Sequence, residues 1–281
     1  MSVLALFITA VIWGIAFVAQ SAGMDYIGPF SFNAIRYGMG SIVLIPVIIV
    51  LRKLRRPKDD SLQDTVKGGI LCGLALCAAS LFQQFGILYT TVGKAGFITA
   101  LYIIIVPFYG VLLKRKIEKK AWLAAGIAII GFYLMCMSES FSLSLGDGLV
   151  LISAFIWGVQ IMLVDKYSKR ADPVMLSSIE FGTSSLLCAV FAFIFERDIT
   201  WKAVTDCAIP LLYAGVMSCG IAYTLQVVAQ KRVRPTLACL IMSLEAVFSA
   251  LAGWVLLGQS MTGMEILGCV LVFAGVVVAQ I

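Results

Sequence analysis

Ten apolar stretches, each long enough to cross a lipid bilayer as a helix, dominate this chain of 281 residues. A helix that crosses the hydrocarbon core needs about 20 mostly apolar residues. Runs bounded by charged residues, Pro or Gly predict helices over 2–21, 31–51, 67–89, 95–113, 121–138, 147–165, 174–195, 208–229, 236–257 and 263–280. The remaining segments are too short for a soluble domain. We therefore expect an all-α integral membrane protein with ten transmembrane helices.

The composition supports this assignment and narrows the chemistry. Hydrophobic residues make up 61% of the chain and charged residues 13%, whereas a soluble domain has about 45–50% apolar and about 25% charged residues. The chain has no His, which is the commonest metal ligand and general base. Its eight Cys are scattered through apolar runs and form no CxxC pair. We expect no metal site, no cofactor and no disulfide framework.

The basic residues orient the predicted helices. Seventeen of the 21 Lys and Arg residues lie in the loops after helices 2, 4, 6 and 8, and three lie in the opposite loops. Because basic loops stay on the cytoplasmic side, both termini are predicted to be cytoplasmic in a bacterial-type inner (plasma) membrane. The same asymmetry accounts for the net charge of +6, so no nucleic-acid binding is expected.

The two halves of the sequence resemble each other. Each half holds five predicted helices, and a unit with an odd number of spans ends on the side opposite to its start. We therefore predict two five-helix repeats, residues 1–140 and 145–281, with the second inverted. Inverted repeats recur in secondary transporters, where the substrate site lies at the repeat interface near the bilayer midplane. Equivalent residues stand 144 positions apart, or 142 for the last pair: Trp13 and Trp157, Pro29 and Pro173, Arg36 and Glu180, Gln84 and Gln226.

Three segments carry a family resemblance. They are Ile-Trp-Gly at 12–14 and 156–158, Thr-Thr-Val-Gly-Lys-Ala-Gly-Phe-Ile-Thr at 90–99, and Ser-Leu-Glu-Ala-Val-Phe at 243–248 followed by Leu-Leu-Gly-Gln at 256–259. Over its whole length the chain resembles the EamA family of the drug/metabolite transporter superfamily. The resemblance implies that helices 1–4 and 6–9 surround a central cavity and that helices 5 and 10 lie at the periphery or in a dimer contact. It also implies export of amino acids or related metabolites. Where the family often has Pro and an acid, this chain has Ala246 and Gln259.

Three ionisable residues lie inside predicted spans, where they are costly and therefore functional candidates. Arg36 and Glu180 are repeat equivalents and suit the two charges of a zwitterion if both line the cavity, although each could instead snorkel or pair locally. Glu245 lies near the middle of helix 9, where its ionised form is the most costly. It is a candidate for proton coupling or for binding a substrate amine. The alternative is a protonated Glu bonded to a neighbouring helix.

Other side chains complete the predicted cavity. Each has a structural alternative, because the Trp residues could pack beside Gly14 and Gly158, and the Gln residues could bond neighbouring helices. Pro107 should kink helix 4. Gly268 and Gly275 lie one heptad apart on helix 10. Small residues at this spacing favour close helix approach and a possible homodimer through helices 5 and 10. The cavity candidates beyond the three ionisable residues are Trp13, Tyr37, Gln84, Thr99, Tyr102, Trp157, Gln160, Tyr223 and Gln226.

These features together predict a secondary-active transporter that exports a small metabolite, an amino acid or a related zwitterion or amine, by alternating access. An uptake carrier for a similar solute is the alternative within the class. A membrane-embedded enzyme is less consistent with the sequence, because no nucleophile–base constellation, catalytic acid pair or Walker motif is present. A channel is also less consistent, because no charge ring or filter repeat is present. The expected partners are a small-molecule substrate and the lipid bilayer.

Overall fold

A computed structural model describes residues 1–54, 60–136, 144–258 and 261–279, and these segments are helical with no β-strand. All ten predicted helices are present. Two are interrupted and are divided into segments a and b, and a short helix that the sequence did not predict, Trp201–Asp206, precedes helix 8. The helices are Ser2–Gly23 (1), Pro29–Leu54 (2), Leu62–Ile87 (3), Val92–Ala100 and Tyr102–Leu112 (4a, 4b), Lys119–Cys136 (5), Leu145–Ser168 (6), Pro173–Phe195 (7), Ala208–Gln230 (8), Pro235–Met242 and Glu245–Leu257 (9a, 9b) and Gly263–Val278 (10).

The lengths of these helices suit a membrane. Among the described residues, eight helices are long and apolar enough to span a bilayer, and helix 10 is a shorter apolar helix. Helix 5 has 18 residues. The predicted ends of helices 5 and 10, at 138 and 280, fall outside the described residues, as does most of the predicted boundary between the repeats. The chain is therefore a multi-pass membrane protein, and its division at 140 and 145 stays a prediction.

Polar caps move several helix ends away from the apolar runs. Helix 3 begins at Leu62 rather than 67, because the Ser61 hydroxyl accepts a hydrogen bond from the Asp64 amide at 3.1 Å. Helix 6 begins at Leu145 rather than 147, where Ser144 and Asp147 form a reciprocal capping box. Such caps satisfy amides that have no partner within the helix. Hydropathy alone does not detect them.

Hydrogen bonds between helices 2 and 7 reveal the inversion of the halves. The Ser41 hydroxyl donates to the Ser178 carbonyl at 2.9 Å, and the Ser185 hydroxyl donates to the Ala34 carbonyl at 2.7 Å. The residue number of the bonded partner on helix 7 decreases as the residue number on helix 2 increases, so the two helices are antiparallel. Each bond is also the repeat equivalent of the other, at a spacing of 144. The two halves are therefore inverted about a local twofold axis between helices 2 and 7.

Helices 5 and 10 form a second antiparallel pair of equivalents. A Cβ atom on Gly131 would stand 2.6 Å from the Gly268 carbonyl oxygen, and one on Gly275 would stand 2.8 Å from the Ala124 carbonyl oxygen. The glycine face of helix 10 is therefore occupied by helix 5 of the same chain. A homodimer through these two helices would need their outward faces instead, and it stays a prediction.

Substitution of Gly131 by Ala is expected to lower stability by about 1–3 kcal/mol, because the added methyl group overpacks the contact between helices 5 and 10. Gly126→Ala is the matched control on the same helix, since a Cβ atom there meets nothing within 4 Å. The control should leave stability unchanged or raise it by up to about 1 kcal/mol through helix propensity. Thermal unfolding in detergent measures both variants. Equal melting temperatures for the two would contradict the packing described here.

The core lies between the halves rather than within them. Helix 3 of the first half packs chiefly on helices 6 and 7 of the second, and helix 1 packs on helices 8 and 9. Helix 10 packs chiefly on helix 5, away from this interface. Any space at the centre of the molecule is therefore bounded by both repeats.

The helix interruptions lie at equivalent places in the two halves. Helix 4 breaks at Leu101, and helix 9 breaks at Ser243 and Leu244. Pro107 lies inside segment 4b, six residues after the break, and the kink expected there stays a prediction. Each break leaves helix-terminal backbone groups in the middle of a span, which membrane proteins tolerate where the backbone lines a cavity. Helix 8 contains a wide-turned π stretch, Tyr213–Tyr223, a feature frequent at functional sites.

Candidate functional site

A small cavity lies at the interface of the two halves. Its volume is about 40 Å³, and one water molecule needs roughly 10–15 Å³. The space therefore holds a few waters, and a metabolite enters only if the surrounding helices separate. Helices 1, 2, 3, 4, 6, 8 and 9 supply the lining residues, which are Trp13, Ala16, Phe17, Gln20, Arg36, Gln83, Thr99, Tyr102, Trp157, Gln160, Ile161, Ser218, Tyr223, Gln226 and Glu245.

Nine of the twelve predicted cavity residues line this space, and three do not. Tyr37 turns towards helix 7, where its ring stacks on Phe181 at 6.1 Å between centroids. Gln84 donates to the Gln20 carbonyl at 3.1 Å and links helices 3 and 1. Glu180 lies behind Gln160 and accepts a hydrogen bond from it at 2.8 Å. The local tilt and rotation of helices, which the sequence does not specify, account for these three differences.

Six residues that line the cavity were not among the residues predicted from the sequence. Ala16, Phe17 and Gln20 follow Trp13 on the same face of helix 1, so helical periodicity from Trp13 was a usable signal. Gln83 donates to the Thr99 hydroxyl at 2.9 Å, and its neighbour Gln84 was preferred on repeat matching. Ile161 and Ser218 carry no signal in the sequence, because apolar and small residues are common throughout the spans.

Arg36 is a buried cation that faces the cavity. Its side chain is 3% exposed, its guanidinium donates to the Tyr37 hydroxyl at 2.8 Å, and it lies 4.6 Å from the centre of the Tyr37 ring. Within the described residues, no carboxylate lies within ion-pair distance and the Nε atom has no partner. A cation–π contact offsets only part of the cost of burial. An anionic group in the cavity would complete this site.

Glu180 belongs to a polar chain across three helices. Its Oε1 atom accepts a hydrogen bond from the side-chain amide of Gln160 on helix 6, and the Gln160 Oε1 atom in turn accepts one from the Gln226 side chain on helix 8 at 3.4 Å. In the described part of the chain, Glu180 Oε2 has no partner. Tyr223 and Cys219 lie near both Glu180 and Arg36. Glu180 therefore reaches the cavity through Gln160 rather than directly.

Glu245 and Tyr102 meet at the two helix breaks. Glu245 is the first residue of segment 9b and Tyr102 the first of segment 4b, and the Tyr102 hydroxyl interacts with the Glu245 carboxyl. A helix N-terminus favours a nearby negative charge. Gly14 brings helix 1 close to this point, since a Cβ atom there would stand 2.9 Å from the Glu245 carbonyl oxygen. Glu245 is thus the carboxyl group that directly faces the cavity.

Two Trp residues from equivalent positions flank Tyr223. The ring centroids of Trp13 and Trp157 lie 4.6 Å and 6.1 Å from that of Tyr223. In the described segments, neither indole N–H has a hydrogen-bond partner. Buried indole N–H groups usually find a partner, so both donors are available to a molecule in the cavity.

Unpartnered polar atoms converge on the cavity from both halves. Buried polar groups in proteins are nearly all hydrogen-bonded, so this concentration is unusual. It includes donors and acceptors together, and therefore fits a small polar molecule that carries both kinds of group. Within the described residues, the unpartnered atoms on lining side chains are Trp13 Nε1, Gln20 Oε1, Arg36 Nε, Tyr102 Oη, Trp157 Nε1, Gln226 Oε1 and Glu245 Oε1.

Comparison with known proteins gives consistent matches along the whole chain. The sequence profile of the EamA-like transporter family matches residues 1–137 and 144–280. An uncharacterised transporter of Archaeoglobus fulgidus is 27% identical over 279 residues, which cover 99% of this chain and 85% of that protein. The uncharacterised transporter YoaV of Bacillus subtilis is 22% identical, over 94% of this chain and 91% of YoaV. A protein crystal structure with 19% identity superposes with a TM-score of 0.80, over 99% of this chain and 96% of that one. The Gln259 departure from the family pattern lies outside the described residues.

Proposed function

Because the chain belongs to the EamA-like transporter family, we propose that it is a secondary-active carrier that exports a small zwitterion or amine, such as an amino acid, by alternating access. One observation carries the proposal. The small cavity between the inverted halves presents a buried cation, Arg36, and a buried carboxyl group, Glu245, on different helices. Transport is the family's activity, and the substrate class, direction and mechanism are our inference.

The arrangement of charges suits a molecule with two ends. Arg36 lacks an anionic partner among the described residues and offers a planar guanidinium to a carboxylate. Glu245 offers a carboxyl oxygen to an ammonium group or a proton. The indole N–H groups of Trp13 and Trp157 supply further donors for carboxylate oxygens. An apolar solute would leave all of these groups unpaired, at a cost of about 1–3 kcal/mol each.

The inverted halves supply the means of alternating access. Two equivalent bundles that exchange conformations convert an outward-facing shape into an inward-facing one around a fixed site. The helix breaks at Leu101 and at Ser243 and Leu244 place flexible backbone beside that site in both halves. In this mechanism Glu245 takes up a proton from the outside and releases it to the inside as the carrier changes its facing, which couples substrate export to proton entry. The carrier would lie in the inner membrane with both termini in the cytoplasm, singly or as a homodimer.

A ligand-stabilisation screen of the purified protein tests this function. Amino acids, amines, nucleobases and organic acids are added separately, and the melting temperature is measured in detergent. A ligand present at 100 times its Kd should stabilise the protein by about 2.7 kcal/mol. We expect the largest shifts from amino acids or related molecules that carry both a carboxylate and an amine. Stabilisation only by molecules without either group would contradict the proposal.

Counterflow in proteoliposomes then separates a carrier from a channel. A solute that stabilises the protein should show transient uphill uptake of label when the vesicles are preloaded with unlabelled solute, and the rate should saturate. A rate that rises linearly with concentration and shows no counterflow would contradict a carrier mechanism.

A further inference from the structure

A second, larger space opens at one end of the helix bundle. It lies among the ends of helices 4, 6, 8 and 10 and the start of helix 9, and its volume is about 590 Å³. Ligand pockets typically measure about 300–1,000 Å³, so this space is large enough for a metabolite. Its rim is open to solvent, since the side chains of Arg234 and Lys169 are 77% and 55% exposed. We call it the vestibule; it lies on the face that the basic loops predict to be cytoplasmic.

The vestibule is strongly basic. Seven Lys and Arg residues line it, against two carboxylates, Glu118 and Asp165. Both carboxylates are already paired, Asp165 with Arg115 at 2.7 Å and Glu118 with Arg234 at 2.5 Å. Lys116 and Arg232 form no ion pair with any described residue. A cleft lined by charge of one sign raises the local concentration of solutes of the opposite sign.

Helix 8 connects the lining of the vestibule with that of the central cavity. Gln230 lines the vestibule and Gln226, one turn earlier on helix 8, lines the cavity. The Gln230 amide donates at 3.5 Å to the carbonyl of Ile161, which is itself a cavity residue. Gln230 is fully buried, and among the described residues its Oε1 atom has no partner. This long hydrogen bond therefore joins a residue that lines the vestibule to one that lines the cavity.

We propose that the vestibule is the loading site of the carrier, and that it draws in solutes to which a carboxylate or phosphate gives a net negative charge, before they reach the cavity past Gln230. This inference rests on the proposed function, since it names the face from which the cavity is filled and the charge that it selects. Orientation of the helices by basic loops requires only that the charges lie on this face. A loading site requires in addition that the charges lining the vestibule act on the solute.

A cysteine reporter tests the electrostatic part without any substrate. Thr236→Cys places a thiol in the vestibule wall, and the described native cysteines are buried. In inside-out vesicles, its reaction rates with an anionic and with a cationic methanethiosulfonate are compared, with the unsubstituted protein as background. Addition of Lys116→Gln and Arg232→Gln should lower the anionic-to-cationic rate ratio by about threefold at low salt. The matched control, Lys67→Gln with Arg170→Gln, removes two charges from the same face outside the vestibule and should leave the ratio unchanged.

The transport part uses glutamate and glutamine as counterflow probes in vesicles of phosphatidylcholine alone. The paired substitutions Lys116→Gln and Arg232→Gln should raise the KM for glutamate added at this face by at least about threefold. They should leave the KM for glutamine unchanged. An unaltered labelling ratio, or equal effects of the vestibule and control pairs, would overturn the loading site. A vestibule effect that appears only when anionic lipid is added would assign the site to lipid headgroups and also overturn it. Counterflow that is absent for every solute, with the labelling result intact, would instead contradict the proposed function.

Discussion

Replacing Arg36 with Met is expected to abolish ligand-induced stabilisation and counterflow while leaving the unliganded protein at least as stable as before. The two effects have opposite signs for a physical reason. Arg36 is buried without a carboxylate partner in the described segments, so an apolar side chain of similar volume removes an uncompensated charge. Such replacements are often neutral or stabilising by about 1–4 kcal/mol. Loss of a buried charge pair with a ligand costs about 2–5 kcal/mol, which weakens binding by at least about 30-fold.

Tyr37→Phe provides the matched control for this experiment. It removes the hydroxyl that accepts the Arg36 hydrogen bond but keeps the ring beneath the guanidinium. Binding should fall by less than about tenfold, since one neutral acceptor is lost. Thermal unfolding with and without the stabilising solute measures all three proteins. A destabilised Arg36→Met protein that still responds fully to the ligand would show that Arg36 has a packing role only.

Glu245→Gln is expected to abolish transport that is driven by a pH gradient while preserving solute exchange. Gln retains the shape of the side chain and its place beside Tyr102 but cannot release a proton. Uphill accumulation should therefore fall at least about tenfold, to the level seen without a gradient, because no other cavity-lining side chain in the described segments carries a carboxyl group. Measurement of gradient-driven uptake and of equilibrium exchange in the same proteoliposomes separates the two activities.

Asp206→Asn is the control for loss of a carboxylate outside the cavity lining, because Asp206 is exposed at the end of the short helix before helix 8. It should leave both activities unchanged. If Glu245→Gln loses exchange as well as accumulation, Glu245 binds the substrate amine rather than coupling protons. If it retains full gradient-driven transport, neither role holds.

Much of the cavity was predictable because charged and polar groups are costly within a membrane. Arg36 and Glu245 stand out in any apolar run, and both face the cavity. The repeat matching selected Trp157 and Gln226, which line the cavity, but also Gln84, which bonds helix 1 instead. A repeat identifies equivalent positions along two helices. It does not specify how each helix is rotated about its own axis. Successive side chains on a helix point about 100° apart around that axis, so two neighbouring residues face different surroundings.

The sequence by itself determined the number of helices, the inversion of the halves and the ionisable residues of the centre. These follow from the length of apolar runs, from an odd number of spans in each repeat, and from the cost of charge in lipid. Only the tertiary structure decided that Glu245 rather than Glu180 faces the cavity with Arg36, and that the glycines of helix 10 are used within the chain. It also located the helix breaks beside Tyr102 and Glu245. The reason is that these features depend on how helices distant in sequence meet, and hydropathy records only where each helix lies relative to lipid.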